Sequence, residues 1–310
     1  VFLEHLGLAD MPFRLTPDDR YYFASSEHRR ALSHLLFGLA QSEGFVVITG
    51  EVGAGKTTLV ERLIAQLTQS TYRIASLSTT QIDPDDSLRL IAADFGLSAA
   101  GDKATLLLRL KERWRADRSR GRRALIVVDE AQNLSKPTLE ELRMLSNMAE
   151  RGQALVQIVL LGQPQFRDML SNPDLDQLRQ RVLASYHLGP LTAEDTEAYV
   201  LHRFTAAGGS AEGFFEPAAL RAIYEASQGI PRRINRLCSR ILLNAALEHY
   251  TVITAAIVES VADELNTDLD GIGGAVGTPG PAGGAQTATG PDQGDQVVDR
   301  LFQVLKAKSE

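Results

Sequence analysis

Residues 45–58 read Phe45-Val46-Val47-Ile48-Thr49-Gly50-Glu51-Val52-Gly53-Ala54-Gly55-Lys56-Thr57-Thr58. The first five have the composition of a buried strand, and a helical pattern begins at Lys56. Between them, Gly50 to Thr57 fits G-x-x-x-x-G-K-[ST], and strand–turn–helix is the context that motif requires. With no Cβ at Gly50, Gly53 and Gly55, backbone N–H groups can curl around phosphate oxygens where side chains would collide. The helix N-terminus adds its partial positive charge. In this pattern Lys56 neutralises β- and γ-phosphates and the Thr57 hydroxyl faces Mg²⁺, with Glu51, Val52, Ala54 and Thr58 completing the loop. The expected ligands are ATP and Mg²⁺.

Working outward, Ala124-Leu125-Ile126-Val127-Val128 is a second apolar run, and it delivers Asp129 and Glu130 at its C-terminal end. In a parallel sheet that end is the ligand-binding edge. Asp129 is expected to anchor Mg²⁺ through its water shell, and Glu130 to polarise the water that attacks phosphorus. An acidic pair ending a strand usually caps a helix; together with a phosphate loop it is a hydrolase signature. Three further strand-like runs, Tyr72 to Leu77, Leu155 to Leu161 and Ser185 to Leu188, alternate with helical segments. Those segments are Lys56 to Leu67, Leu88 to Phe95, Thr105 to Asp117 and Thr138 to Met148. The fold class is therefore α/β, a parallel sheet flanked by helices.

After Thr192 the strand pattern stops. Thr192 with Asp195 opens a helix that ends at Gly208-Gly209, Pro217 and Pro231 open two more, and Thr254 caps a fourth. Half of residues 271–294 are Gly or Pro, the composition of a flexible linker. Beyond it Val297, Val298, Leu301, Phe302 and Leu305 recur at helical spacing. The expected division is an N-terminal segment 1–44 packing on the nucleotide site, an α/β domain 45–191, a helical lid 192–266, a linker 267–295 and a short amphipathic helix 296–310. In that first segment Thr16-Pro17-Asp18 and Tyr21-Tyr22-Phe23 either wall the adenine or pack in a core.

Composition narrows the function classes. The chain of 310 residues is 44% hydrophobic and 23% charged, which excludes wholesale disorder and a fibre. Its formal charge of −7 disfavours coating of nucleic acid. The basic stretch Leu108 to Arg123 carries Arg109, Lys111, Arg113, Arg115, Arg118, Arg120, Arg122 and Arg123 among Leu106, Leu107, Leu110 and Trp114. It reads either as a solvated outer helix or as a patch for DNA or anionic lipid. One cysteine, Cys238, allows no internal disulfide and suits a cytoplasmic setting. No apolar run is long enough to span a membrane, so a membrane role is expected to be peripheral.

The blocks D-E-A-Q at Asp129 to Gln132, L-G-Q-P at Leu161 to Pro164, L-R-Q-R-V at Leu178 to Val182 and G-I-P-R at Gly229 to Arg232 resemble an AAA+ ATPase. More narrowly, the chain is similar to ExeA-type, or general secretion pathway protein A, ATPases and their relatives in pilus and exopolysaccharide export. That resemblance, carried in order by LEHLGLADMPFRLTPDDRYYF, GFVVITGEVGAGKTTL, DEAQNLS, IVLLGQPQF and GIPRRINRLC, covers about Phe2 to Leu265. It implies that Gln163 is the sensor that contacts the γ-phosphate or the attacking water. It implies that Arg181, or Arg179 two residues away, is an arginine finger acting on a neighbouring subunit, and that Arg232, with Arg233 as competitor, is the lid's phosphate sensor. It further implies a homo-oligomer and a protein partner in envelope export; the helical spacing of residues 296–310, outside the resemblance, reads either as a frayed tail or as a docking peptide for that partner. The longer secretion-type members carry a membrane segment and a wall-binding region; the sequence fits a partner-docking version better. Two rival readings are a DNA-binding regulator like the transposition-control ATPases, supported by the basic stretch alone, and a nucleotide-gated scaffold, against which Glu130 weighs.

Overall fold

The computed structural model describes residues 6–16, 18–67, 71–78 and 82–270. They fall into two compact units, one within His28–Gly189 and one combining the described parts of Val1–Glu27 and Pro190–Pro291. The expected linker beyond residue 270 and the terminal helix lie outside the described residues.

The first unit contains α1 (Ser26–Gln41, in its greater part), β1 (Phe45–Gly50), α2 (Lys56–Gln66), β2 (Tyr72–Leu77), α3 (Pro84–Asp94), α4 (Lys103–Arg118), β3 (Arg123–Val128) and α5 (Lys136–Ser146). A small hairpin of β4 (Ala149–Glu150) and β5 (Gln153–Ala154) follows, then β6 (Val156–Gly162), α6 (Pro164–Leu170), α7 (Asp176–Arg179) and β7 (Val182–Leu188). Five strands form one parallel sheet in the order β2-β3-β6-β1-β7. Successive strand side chains alternate between two buried faces, which is why β1, β3 and β6 read as unbroken apolar runs. On one face Val47, Ile126, Val128, Ile158 and Leu160 meet α3, α4 and α5 through Leu88, Ile91, Leu110, Trp114, Leu139 and Leu142. On the other, Val46, Ile48, Val127 and Val159 meet α1 and α2 through Leu35, Leu39, Leu59 and Leu63. The expected α/β class and all five strands are present; β7 starts at Val182, three residues before the expected Ser185. Helix α1 was not expected from the sequence, and neither was the β4–β5 hairpin, whose turn puts Arg151 and Gly152 at positive φ.

The basic stretch is committed inside its own unit. Asp117, 1% exposed, takes ion pairs from Arg73 (2.9 Å), Arg113 (3.3 Å) and Arg122 (3.3 Å). Arg115 pairs with Glu150 on the hairpin at 3.1 Å, Arg118 donates to the Ala154 carbonyl at 2.6 Å, and Arg109 donates to the carbonyls of Ser98 and Ala100. These cations fasten α4 to β2 and to the hairpin, as an outer helix packed on its own unit requires.

The second unit packs α8 (Ala193–Ala206), α9 (Pro217–Ser227), α10 (Pro231–Leu247) and α11 (Ala255–Asp270) around Val200, Phe204, Ile223, Ile234, Ile241, Val258 and Val261. The expected Thr192 cap is present, its side chain accepting from Asp195 N, and proline stands at the start of α9 and α10. Leu8, Phe13 and Tyr21 belong to this core. The reason is polar as well as apolar: the buried Arg203 guanidinium donates to Pro12 O and to the Tyr199 hydroxyl, each at 2.6 Å, and lies over the Tyr21 ring. The segment expected as 1–44 is thus divided, its first part completing the helical unit and α1 packing on the sheet. Cys238 is fully buried there, and burial pushes its thiol up, away from reactivity. Among the described residues no helix is long and apolar enough to cross a membrane.

Asp117→Ala strands three guanidiniums around a cavity, and it is expected to lower unfolding stability by about 3–5 kcal/mol in urea titrations. A loss under about 1 kcal/mol would show that the cluster behaves as a surface ion pair.

Candidate nucleotide site

The glycines of the 50–57 loop answer three different constraints. A Cβ on Gly50 would stand 2.6 Å from the Leu188 carbonyl oxygen of β7, Gly53 has φ +83°, and Gly55 combines φ +96° with a Cβ position 2.6 Å from Nε2 of the buried His28. Gly55 is the N-cap of α2 and brings no side-chain acceptor, so the first-turn N–H groups face the loop.

Lys56 is only 6% exposed, and its ammonium donates to the Gly50 carbonyl at 2.7 Å and the Glu51 carbonyl at 3.0 Å. Burial pulls its pKa below the ordinary lysine value, against the opposing pull of the Glu130, Asp129 and Glu51 carboxylates. Thr57 donates its hydroxyl to Asp129 Oδ2 at 2.6 Å, joining the start of α2 to the end of β3 across 72 residues of sequence. Asp129 Oδ1 accepts from Glu130 N at 2.8 Å, and Asp129 N donates to Leu77 O at 2.8 Å. A buried ammonium held only by carbonyl dipoles, beside a glycine cradle and a hydroxyl–carboxylate pair, fits a phosphate group with a hard cation at its side.

Glu130 sits at φ +52°, a left-handed conformation that is uncommon for a non-glycine residue. Its Oε2 accepts from Gln163 Nε2 at 3.0 Å and also from Gln132 Nε2. Gln132 Oε1 in turn accepts from the Gln163 backbone N at 2.9 Å, closing a ring of three residues between β3 and β6. Sequence reasoning assigned no role to Gln132; its place in the D-E-A-Q run, two residues after Glu130, was the available signal.

The structure brings Lys56, Thr57, Asp129, Glu130 and Gln163 to one edge and leaves Arg181 at the other. Val182 pairs with Phe45 and Leu188 with Gly50, so Arg181 lies a full strand from the loop, roughly 20 Å at about 3.3 Å per residue. Arg181 donates to Ser146 O at 3.3 Å, whereas Arg179 pairs with Asp176 at 2.7 Å. In the helical unit, Arg232 is exposed on the first turn of α10, and Arg233 donates to the Gln228 side chain at 2.8 Å.

A strand-to-loop phosphate cradle, an acidic pair on the neighbouring strand and this strand order define a P-loop ATPase of the AAA+ class, and residues 39–170 match the AAA domain family. More particularly, the chain is 40% identical over 247 residues to the general secretion pathway protein A of Aeromonas hydrophila, which bears out the resemblance drawn from the motifs. That alignment takes up 79% of this chain and 45% of the relative, so the chain spans under half of that protein's length. Among solved structures, the fold is shared with the ORC2 protein of Aeropyrum pernix (TM-score 0.62, 18% identity, 82% of this chain and 71% of that one). It is also shared with the CDC6 protein of Pyrobaculum aerophilum (0.62, 19%, 83% and 71%) and the RuvB branch-migration motor of Thermotoga maritima (0.52, 18%, 78% and 70%). At these identities the likeness is one of fold alone.

Gly55→Ala places a methyl group against His28 in a backbone conformation that alanine resists. It is expected to destabilise the protein by about 1 kcal/mol or more and to weaken nucleotide binding beyond tenfold. Fluorescent-nucleotide titration checks this, and wild-type affinity would contradict the geometry of the loop.

Proposed function

We propose that this ATPase hydrolyses Mg-ATP as an oligomer and uses turnover to rearrange a protein partner in cell-envelope secretion, pilus or polysaccharide export. The observation that supports it is the convergence of Lys56, Thr57, Asp129, Glu130 and Gln163 on one sheet edge with Arg181 on the other. In this reading Lys56 exchanges the Gly50 and Glu51 carbonyls for β- and γ-phosphate oxygens, and the N–H groups of Gly50 to Thr58 line the phosphates. Thr57 and Asp129 would hold Mg²⁺, which would supply positive charge to the phosphates. Glu130 accepts a proton from the attacking water while the Gln163 amide orients that water, and Gln132 holds the carboxylate in place. Arg181 cannot serve its own loop from the opposite edge, so its guanidinium spreads charge on a neighbour's phosphates. Arg232, exposed on the first turn of α10, is the candidate phosphate sensor of the helical unit, in preference to Arg233, which is bonded to Gln228.

The export context rests on the 40% identical relative, and it is a proposal for a chain that spans less than half of it. It goes with a cytoplasmic, peripheral position at the inner membrane, reached through the partner. The apolar spacing of residues 296–310 supports a docking peptide for that partner. DNA binding is the weaker reading, since the arginines of α4 are engaged within their own unit.

Lys56→Ala is expected to abolish nucleotide binding and Glu130→Gln to keep binding while losing turnover. Fluorescent-nucleotide titration beside phosphate release at saturating ATP separates the two, and wild-type hydrolysis by Glu130→Gln would remove that residue from its role. Turnover is expected to rise more than linearly with protein concentration. Arg181→Ala is expected to bind ATP normally yet hydrolyse it about 10³-fold more slowly, and to regain activity when mixed with Lys56→Ala. Failure of that rescue in verified mixed oligomers would end the trans assignment.

A further inference from the structure

The entry to the phosphate loop leans on the last strand. Thr49, the residue of β1 just before Gly50, is fully buried, and its side chain lies on the same sheet face as Phe45 and Val47. A hydroxyl there needs a partner, because an unsatisfied buried donor is costly. Across the sheet Thr49 has two neighbours in register, Gly162 on β6 and His187 on β7. Gly162 has no side chain to offer, and a Cβ on it would stand 2.7 Å from the Cβ of Phe166. The bond comes from β7: His187, exposed on this edge strand, brings its Nδ1 to 3.1 Å from Thr49 Oγ1.

One residue further on, Leu188 is in register with Gly50, and its carbonyl oxygen leaves no room for a Cβ there. The Gly50 carbonyl is in turn the nearer of the two that hold the Lys56 ammonium, at 2.7 Å. The end of β7 thus meets the loop by a side chain at Thr49 and by backbone at Gly50. We infer that His187 is a positioning residue for nucleotide binding. Through Thr49 it fixes the direction in which β1 delivers Gly50, and with it the carbonyl and N–H groups at the start of the loop. The inference rests on the reading of residues 50–58 as the nucleotide cradle and adds to it a side chain 138 positions beyond Thr49. A loop held alike in ground and transition state governs affinity and leaves the chemical step alone.

The test measures KM and kcat for ATP, Kd for a fluorescent ATP analogue and the melting temperature, on the full chain at one protein concentration. His187→Ala is expected to raise KM and Kd about 5- to 10-fold, the worth of one hydrogen bond, with kcat within about twofold. Thr49→Val, which keeps the shape and removes the hydroxyl, is expected to do the same. The double variant should be no worse than either single one, since both cut one bond. His187→Asn places an amide where Nδ1 stood and should bring KM back to within about twofold of the wild type; His187→Gln, whose amide falls at the Nε2 position, should not. KM and Kd within about twofold of the wild type in both His187→Ala and Thr49→Val overturn the inference. So do losses that multiply in the double variant, and so does a lower melting temperature with reduced kcat at unchanged KM, the mark of a strut for the fold alone. Lys56→Ala runs beside them. Wild-type affinity in Lys56→Ala would end the reading of the loop and this inference with it, whereas its expected loss beside a normal His187→Ala and Thr49→Val removes His187 alone.

Discussion

A parallel sheet sends every strand C-terminus to one edge, and the chemistry of this protein depends on that constraint. Because β3, β6 and β1 are adjacent in the order β2-β3-β6-β1-β7, the acids after Val128, the amide after Gly162 and the loop after Thr49 arrive side by side. The same constraint puts the residue before β7 at the far edge, which separates Arg181 from its own loop. Even the first loop glycine follows from it. Gly50 is opposite Leu188, where the backbones of β1 and β7 run too close for a Cβ.

The polar groups on that edge are satisfied by exchangeable partners. Lys56 rests on two carbonyls, Thr57 on a carboxylate that can turn to a cation, and Glu130 on two neutral amides. Lys56 is already desolvated and aimed, so under the proposed function a phosphate ligand would replace weak carbonyl partners at its ammonium instead of displacing bulk water, as expected of a preorganised site. Elsewhere, charged groups are fixed for good. Asp117 gathers three arginines that tie α4 to its surroundings, and Arg203 anchors the backbone of Pro12 within the helical unit. The contrast separates cations that build the fold from a cation, Lys56, that rests on exchangeable partners.

Fold and family carry different weight here. The fold is shared with the ORC2, CDC6 and RuvB proteins at under 20% identity, which speaks for architecture and for nothing those proteins act upon. The relative at 40% identity bears on biological role, over less than half of its length.

Much of this was legible in the amino-acid order. A phosphate loop needs its glycines and lysine contiguous, buried strands need unbroken apolar runs, and helix starts need Thr192, Pro217 and Pro231, so these signals are local and can be read without coordinates. Helix α1 escaped because its apolar face, Leu35, Leu36 and Leu39, is short and diluted by His, Ser and Gly, and its helicity is set by packing against β1 and β7. The division of the N-terminal segment escaped for a related reason: Tyr21 follows Arg203, a residue 182 positions later. What only the tertiary structure decided are the pairings between distant residues: Thr57 with Asp129, Gln132 and Gln163 on one oxygen of Glu130, and His28 beneath Gly55. Each depends on strand order and register, which arise from burying two sheet faces at once, and no window of sequence contains both partners.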